Sequence, residues 1–388
     1  LKKKLLLILM FMYLASGCTA ATKIEKLPME DNGRIIVEVE NEDYALKLKE
    51  LWNKRYPNKQ SAIIFRISPY MPHKELDADI IWTNDLEALQ LTSKLQNIPI
   101  QEEYKIEKHL VRKELEHIFV PVCAKGKLFL YNEQTLHEKG KKIEDLESFE
   151  SMMENHISYY HSHDLDYIYP FIKDGFIMQD KRKQENYPDK EIFSVQIDHY
   201  KKLYHDAHFM DDIYLQPNFF FDDTYPCGLF DSEVSIENTI PYKQQKLHYM
   251  PMPTWNDQQL HPACVTYGFA VNKKSKYSGL AQAFLELVKS KEGIQALADS
   301  QVSVPLIKEE DFDDFYIFDH TRKEKILAMN ASELYPLIQL RNTNKNLYSI
   351  LQNVDITGIL QNYICSKQSS LHVYEEIYEH MQHFLDDS

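Results

Sequence analysis

The chain has 388 residues, enough for about two domains, and 44% of them are hydrophobic, enough to fill sizeable cores. Its formal net charge is -15, which argues against nucleic acid as a partner, because phosphate binding needs a concentrated basic surface. Only 10 residues are glycine, and the sequence holds no G-x-G-x-x-G and no phosphate-binding loop, so dinucleotide and nucleotide-hydrolase chemistry are disfavoured.

Lys2, Lys3 and Lys4 form a positive N-terminal region, and Leu5 to Leu14 is an almost unbroken apolar run, too short to span a bilayer as a mature helix. "LASGC" (14–18) follows, and small residues just before a cysteine resemble the bacterial lipoprotein signal. That resemblance implies a signal peptide over 1–17, cleavage before Cys18, and lipid on the Cys18 thiol and the new N-terminus. Two or three acyl chains give stable anchoring, so the expected location is extracytoplasmic, on the outer face of the cell membrane. An ordinary secretory signal with an incidental cysteine is the alternative. Residues 19–32 are polar and patternless, as a tether would be.

"RIIVEVE" (34–40) predicts a strand. In "EDYALKLKELWNKRYP" (42–57), Tyr44, Leu48, Leu51 and Trp52 share one helix face, Trp52 reads as core, and Pro57 ends the helix. "SAIIFRIS" (61–68) and "DADIIWTND" (77–85) are the next strands, and "LEALQLTSKL" is helical. This is the rhythm of an open α/β sheet with helices on its faces. "HIFVPVCAKGKLFLYN" (117–132) predicts a long strand with a break at Lys125-Gly126. Residues 133–260 are more helical, rich in Tyr and His, and irregular around 177–190. "ACVTYGFAVN" (263–272) returns to strand. Leu280, Phe284, Leu287 and Val288 mark one helix face after it, and Ile294, Leu297 and Ala298 a shorter one. From about 312 the chain predicts helices. Four cysteines, Cys123, Cys227, Cys264 and Cys365, permit two disulfides outside the cytosol, but their wide spacing and the absence of C-x-x-C favour unpaired buried thiols.

The ordered set "ADIIWTND", "VPVCAKGKLFLYN" and "YGFAVNKKSKYSGLAQAFLELVKSKEGIQALADSQVSVPLIKE" resembles extracellular solute-binding proteins of the maltose-binding type. The matching residues include Tyr131-Asn132, Tyr267-Gly268, Ala270-Val271, Ala283-Phe284-Leu285, Ser290, Glu292-Gly293 and Val304-Pro305. The resemblance implies a two-lobed α/β fold, each lobe a mostly parallel sheet flanked by helices, joined by a hinge. One lobe would take 33–120 plus 265–308 and the other 133–260 plus 312–388. The hinge segments would be 121–132, 258–264 and 306–312. A ligand would sit between lobes that close on it, and the protein, a monomer, would deliver it to the permease subunits of an ABC importer. A carbohydrate is the favoured ligand; no cofactor, metal or catalysis is required.

Ligands of open α/β sheets bind beyond the carboxyl ends of the strands. Trp82 to Asp85 is expected just past such an end. An indole that stacks on sugar C–H faces, beside the hydrogen-bonding Asn84 and Asp85, suits a sugar. By resemblance, Asp85 falls close to an acid that accepts hydroxyl hydrogen bonds. Glu40, Asn41 and Glu42 follow the first strand, where polar ligand contacts are common in the family, although Glu42 or Asp43 also suits a helix cap. Trp255 lies near a hinge segment, as a cleft wall or a surface loop. Tyr160, Tyr167 and Tyr169 overlap a region of aromatic sugar platforms, Asp231 and Glu233 end a strand leading to the second lobe's cleft, and Tyr267 falls at a cleft position. Lys125 stands where some maltose-type proteins carry an acid, leaving room for an acidic, phosphorylated or carboxylate-bearing ligand.

Three other readings stand beside this one. Thiaminase I shares the fold and uses a nucleophilic cysteine in the crossing strand, where Cys123 lies. A metal-binding lipoprotein would use His156, His161, His163 and Asp164, or His205, Asp206 and His208. A sensor or surface interaction protein would keep the fold without import. Cys123 and Cys264, on neighbouring hinge segments, would bridge if their Cα atoms lay within about 7 Å.

Overall fold

In a computed structural model the described residues are 24–160, 165–176, 189–206, 226–233, 246–300, 303–316, 319–335, 353–366 and 368–386. The lipoprotein signal, Cys18, His161, His163, Asp164 and His208 lie outside them. No described helix is long and apolar enough to cross a membrane.

β1 (Ile35–Val39) is largely buried on both faces, as its apolar residues, interrupted only by Glu38, require of a parallel strand inside the sheet. The chain leaves it through α1 (Glu42–Arg55). Asn41, rather than Glu42 or Asp43, caps this helix, its side chain accepting from Tyr44 N at 3.0 Å. Acidic Glu42 and Asp43 in the first turn, and Lys54 and Arg55 in the last, suit the helix dipole. Tyr44, Leu48 and Trp52 are buried, whereas Leu51 is half-buried. The Trp52 indole N–H donates to the Lys59 carbonyl at 2.8 Å, fastening the turn that begins at Pro57. β2 (Ile63–Ile67) then lies parallel to β1, and β3 (Ile80–Asn84) lies parallel on its other side. α2 (Asp85–Gln90) and the short β4 (Leu95–Gln96) follow.

β5 (Phe119–Asn132) runs through Lys125-Gly126 without the predicted break. Gly126 serves close approach instead, since a Cβ there would stand 2.8 Å from the Ala263 carbonyl oxygen. The second lobe holds α3 (Glu133–Glu138), α4 (Phe149–Glu154), β6 (Tyr159–Tyr160), α5 (Leu165–Phe176), α6 (Lys190–Asp206), β7 (Cys227–Asp231), β8 (Leu247–Met250) and a small hairpin. That hairpin pairs β9 (Thr254–Trp255) with β10 (Gln258–Gln259) across Asn256 and Asp257, both at positive φ, a conformation Asn and Asp tolerate. β11 (Ala263–Asn272) returns the chain to the first lobe, which α7 (Ser278–Val288) and α8 (Lys291–Asp299) complete. β12 (Val304–Pro305), α9 (His320–Asn330), β13 (Glu333–Leu334), α10 (Ile356–Cys365) and α11 (Ser370–Asp386) follow.

The main sheet has the order β2-β1-β3-β11-β5-β7-β6, with β4 and β13 on β11, and β8 and β12 on β5. β2, β1 and β3 are mutually parallel, as are β6 and β7; β11 and β5 run antiparallel to their neighbours in this order, while β13 lies parallel to β11. β5 is the member common to both halves. Its residues 119–126 pair with β11, and 127–132 pair with β7 and β8. Each half has its own core: Ile35, Val37, Trp52, Phe269 and Phe284 in the first lobe, and Phe129, Phe149, Tyr159, Phe193 and Tyr363 in the second. β5 bulges at Val122, where it faces the Tyr267–Gly268 step of β11. A Cβ at Gly268 would stand 2.0 Å from the Val120 carbonyl oxygen, so only glycine lets the two strands approach here.

Cys123, Cys227, Cys264 and Cys365 are all free, the first three buried and the last exposed. The bridge between Cys123 and Cys264 does not form. Cys123 lies opposite Tyr267 and Cys264 opposite Gly126, so the thiols are three ladder positions apart and point to opposite faces of the sheet.

Candidate functional site

Glu40 follows the last residue of β1, at the carboxyl end of a parallel strand, and its carboxylate accepts from two groups. The Trp82 indole N–H donates to it at 3.2 Å, and the Lys125 ammonium, on β5, at 3.0 and 3.2 Å. Lys125 also pairs with Glu233, just beyond β7, at 2.9 Å. An acid from the first lobe and an acid from the second thus meet on one ammonium carried by the strand they share. Burial alone would lower the Lys125 pKa, but hydrogen bonds to Glu233 and Glu40 outweigh it and hold the pKa above the ordinary lysine value. With two carboxylates around one ammonium, the cluster carries a net charge of about -1.

Aromatic rings floor this cluster. The Lys125 ammonium lies 4.9 Å from the centroid of the half-buried Tyr267 ring. Tyr267 packs against the cores of both lobes, stacks on Trp82 at 6.4 Å and meets Tyr70 edge-on at 5.3 Å. Two residues along the same face of β5, Lys127 pairs with Asp231 and lies 4.5 Å from the centroid of Tyr167.

The expected site residues therefore divide. Glu40, Trp82, Lys125, Tyr267 and Glu233 come together, with Asp231 and Tyr167 beside them. Trp82 lies inside β3 rather than past its end, because the strand continues to Asn84, and the indole is only 3% exposed, wedged against Phe269 and Tyr44. It is the floor of the site, and Tyr267 is its upper surface. Asn84 caps α2, accepting from Glu87 N at 2.8 Å and donating to the Tyr70 hydroxyl at 2.7 Å. Asp85 is 1% exposed, and its carboxylate is held by Arg112 and by the Thr266 amide at 3.2 Å. Asn41 is the cap of α1. Trp255, half-buried, packs edge-on to Phe149 at 6.5 Å against the second lobe's core. Tyr160 stacks on Phe230 at 4.9 Å, and Tyr169 meets Tyr335 at 5.3 Å. A separate concavity of about 440 Å³, lined by Glu133, Leu136, Ile143 and Lys246 among others, lies on the second lobe beyond the far end of β5.

Beside the site, His73 is clamped between two acids, its Nε2 2.9 Å from Glu38 and its Nδ1 3.0 Å from Glu87. Hydrogen bonds to Glu38 and then Glu87 raise its pKa to about 9 against an opposing burial effect. Thr83 adds a hydroxyl to Glu87 at 2.5 Å. This clamp fastens the 68–79 segment, which carries Tyr70 to Tyr267. Tyr70, His73, Arg112 and Lys127 were not apparent from the sequence: the first two sit in an aperiodic Pro-rich stretch, and the two basic residues match no motif.

Other expected chemistries find less support around their residues. Burial pushes the Cys123 thiol up to about 12, the opposite of what an activated nucleophile needs. His205 Nε2 sits 3.2 Å from the Ile364 carbonyl, where it is engaged with backbone.

No protein-family model matches this sequence, and no curated protein matches it. In structure it is similar to the GacH receptor of Streptomyces glaucescens GLA.O, described unliganded and in complex with acarbose and an acarbose homologue. The likeness has a TM-score of 0.69 at 13% identity and covers 92% of this chain and all of that one. The likeness shows a shared fold. Within that two-lobed α/β solute-binding fold, the Glu40–Lys125–Glu233 cluster spans the two lobes at their shared strand. An acceptor-rich, weakly anionic patch over a tyrosine floor is chemically suited to hydroxyl donors.

Proposed function

We infer that this chain is an extracytoplasmic receptor that binds a sugar or oligosaccharide between its lobes and delivers it to the permease subunits of an ABC importer. In this reading it is held at the membrane through lipid on Cys18. The observation that carries the reading is the convergence of Glu40 and Glu233, one from each lobe, on Lys125 above Tyr267. A ligand bound there touches both lobes at once, and its differential affinity for the closed state is what couples occupancy to closure. Because both acids already neutralise Lys125, the favoured ligand is a neutral polyol rather than a phosphate or carboxylate. Glu40 and Glu233 each have lone pairs to spare for hydroxyl hydrogens, and Tyr267 offers a ring face for C–H groups.

A thermal-shift panel of mono- and oligosaccharides, polyols, phosphosugars and thiamin tests this. A bound ligand stabilises by mass action, about 2.7 kcal/mol at a hundred times its Kd. The expected result is a concentration-dependent rise in Tm with a neutral saccharide. A rise confined to phosphosugars or thiamin, or no rise with any saccharide, contradicts the reading.

A further inference from the structure

Some 20 Å along β5 from Lys125, at about 3.3 Å per residue, the strand ends at Tyr131 and Asn132. Here two histidines and a glutamate converge from two elements. His248 comes from β8, in register with Tyr131, and its ring stacks on that tyrosine at 5.3 Å. His320 and Glu324 lie one turn apart on α9, which packs over β8. Glu324 Oε1 lies 3.2 Å from His248 Nδ1 and 3.1 Å from His320 Nδ1. One ligand-type atom from each of the three residues falls within 4.8 Å of the others.

We propose that His248, His320 and Glu324 form a binding site for a divalent transition metal, with zinc as the best match. Imidazole nitrogen and carboxylate oxygen bind zinc at about 2.0–2.2 Å, which in a tetrahedron sets donor atoms about 3.3–3.6 Å apart. The spacings of 3.1 and 3.2 Å from Glu324 Oε1 to the two imidazole nitrogens are within a small side-chain adjustment of that, and water would complete the fourth position. Orientation supports the same assignment. With Nδ1 of His248 turned to the site, its Nε2 stands 3.3 Å from Glu133 Oε2, in ion-pair rather than hydrogen-bonding geometry. A small rotation of Glu133 would make this contact the hydrogen bond by which a carboxylate behind the outer nitrogen of a ligating histidine fixes the tautomer that presents the inner nitrogen to a metal. Glu324 is steadied from behind by the Tyr249 amide at 3.4 Å. The three ligands come from β8 and α9, and their supporting acid comes from the start of α3. A bound ion would therefore clip the chain that follows β12 onto the edge of the second lobe, remote from the Lys125 cluster.

The test uses the full chain, stripped with chelator, desalted and titrated with Zn²⁺ against a chromophoric competitor. H320A is the decisive variant, because the His320 side chain is 77% exposed and its removal leaves the fold intact, as circular dichroism would verify. H372A, at an exposed histidine on α11, is the control. Wild type and H372A should bind one equivalent with the same affinity and show the same zinc-dependent rise in Tm. E133Q should weaken that equivalent by about 10–100-fold, and H320A by more. A wild type without a competitive zinc site, or an H320A variant with wild-type affinity and stoichiometry, overturns the proposal.

Discussion

Two acid–base clusters flank the same first-lobe sheet and serve opposite ends. Asp85 and Arg112 are closed off: the carboxylate is buried, and the guanidinium also donates to the Tyr335 carbonyl at 2.8 Å. Glu40, Lys125 and Glu233 are partly open, the side chains of Glu40 and Lys125 being 22% and 17% exposed and that of Glu233 58%. Both look alike in a sequence, as polar residues at strand ends. A buried pair is held in place by the cost of leaving either partner alone, whereas an exposed pair contributes little to stability and keeps lone pairs for another molecule. Burial therefore separates the charge that builds the lobe from the charge available to a ligand.

Breaking the closed cluster should have the largest effect. D85A leaves Arg112 buried without its partner, and the expected loss is about 3–5 kcal/mol in urea denaturation. A loss near that of a surface pair would mean the two clusters do not differ in kind. The His73 clamp comes next. Its folded pKa is raised to about 9 from an unfolded value near 6.5, so its stabilisation is complete below pH 6.5 and is lost as pH rises through about 9. The loss should be on the order of 2 kcal/mol between pH 6 and pH 9.5, after allowing for screening. The H73N variant should show a flatter profile across that window; an unchanged profile would remove His73 as its cause.

The open cluster should respond in binding rather than in folding. Y267A, which strips the ring beneath Lys125, should weaken saccharide affinity about tenfold or more by isothermal titration, about 1.4 kcal/mol. The smallest stability effect is expected for E233Q, within about 1 kcal/mol of wild type by denaturation, because the acid is mostly exposed. A large loss there would make Glu233 a structural residue and align the open cluster with the closed one.

The strands of the first lobe were largely legible from their apolar residues: β1 and β11 fall where the sequence places them, β11 residue for residue, whereas β3 runs on to Asn84, past the end expected before Trp82. Gly126 was misread as a break because, in sequence, a glycine that permits close strand approach looks like one that interrupts a strand. The grouping of Glu40, Trp82, Lys125 and Tyr267 was suggested by the family resemblance and, for Glu40, by its place after a strand end, whereas Trp82 lies inside its strand. The partner of Asp85 was not, since Arg112 lies 27 residues away in a stretch without periodicity. The turn-spaced His320 and Glu324 are visible in sequence, but His248 is 76 residues from Glu324, a distance only the fold closes.

In the proposed function a saccharide seats on Tyr267, with the buried Trp82 beneath that ring and Lys125 beside it. Tryptophan fluorescence tests it directly, because the Trp82 indole touches both Glu40 and Tyr267. Titrating the saccharide found by thermal shift into wild type should change the emission with a midpoint at its Kd. In W82F the change should vanish while calorimetry still detects binding. The same emission change in W82F, or binding to wild type with none, would place the ligand elsewhere.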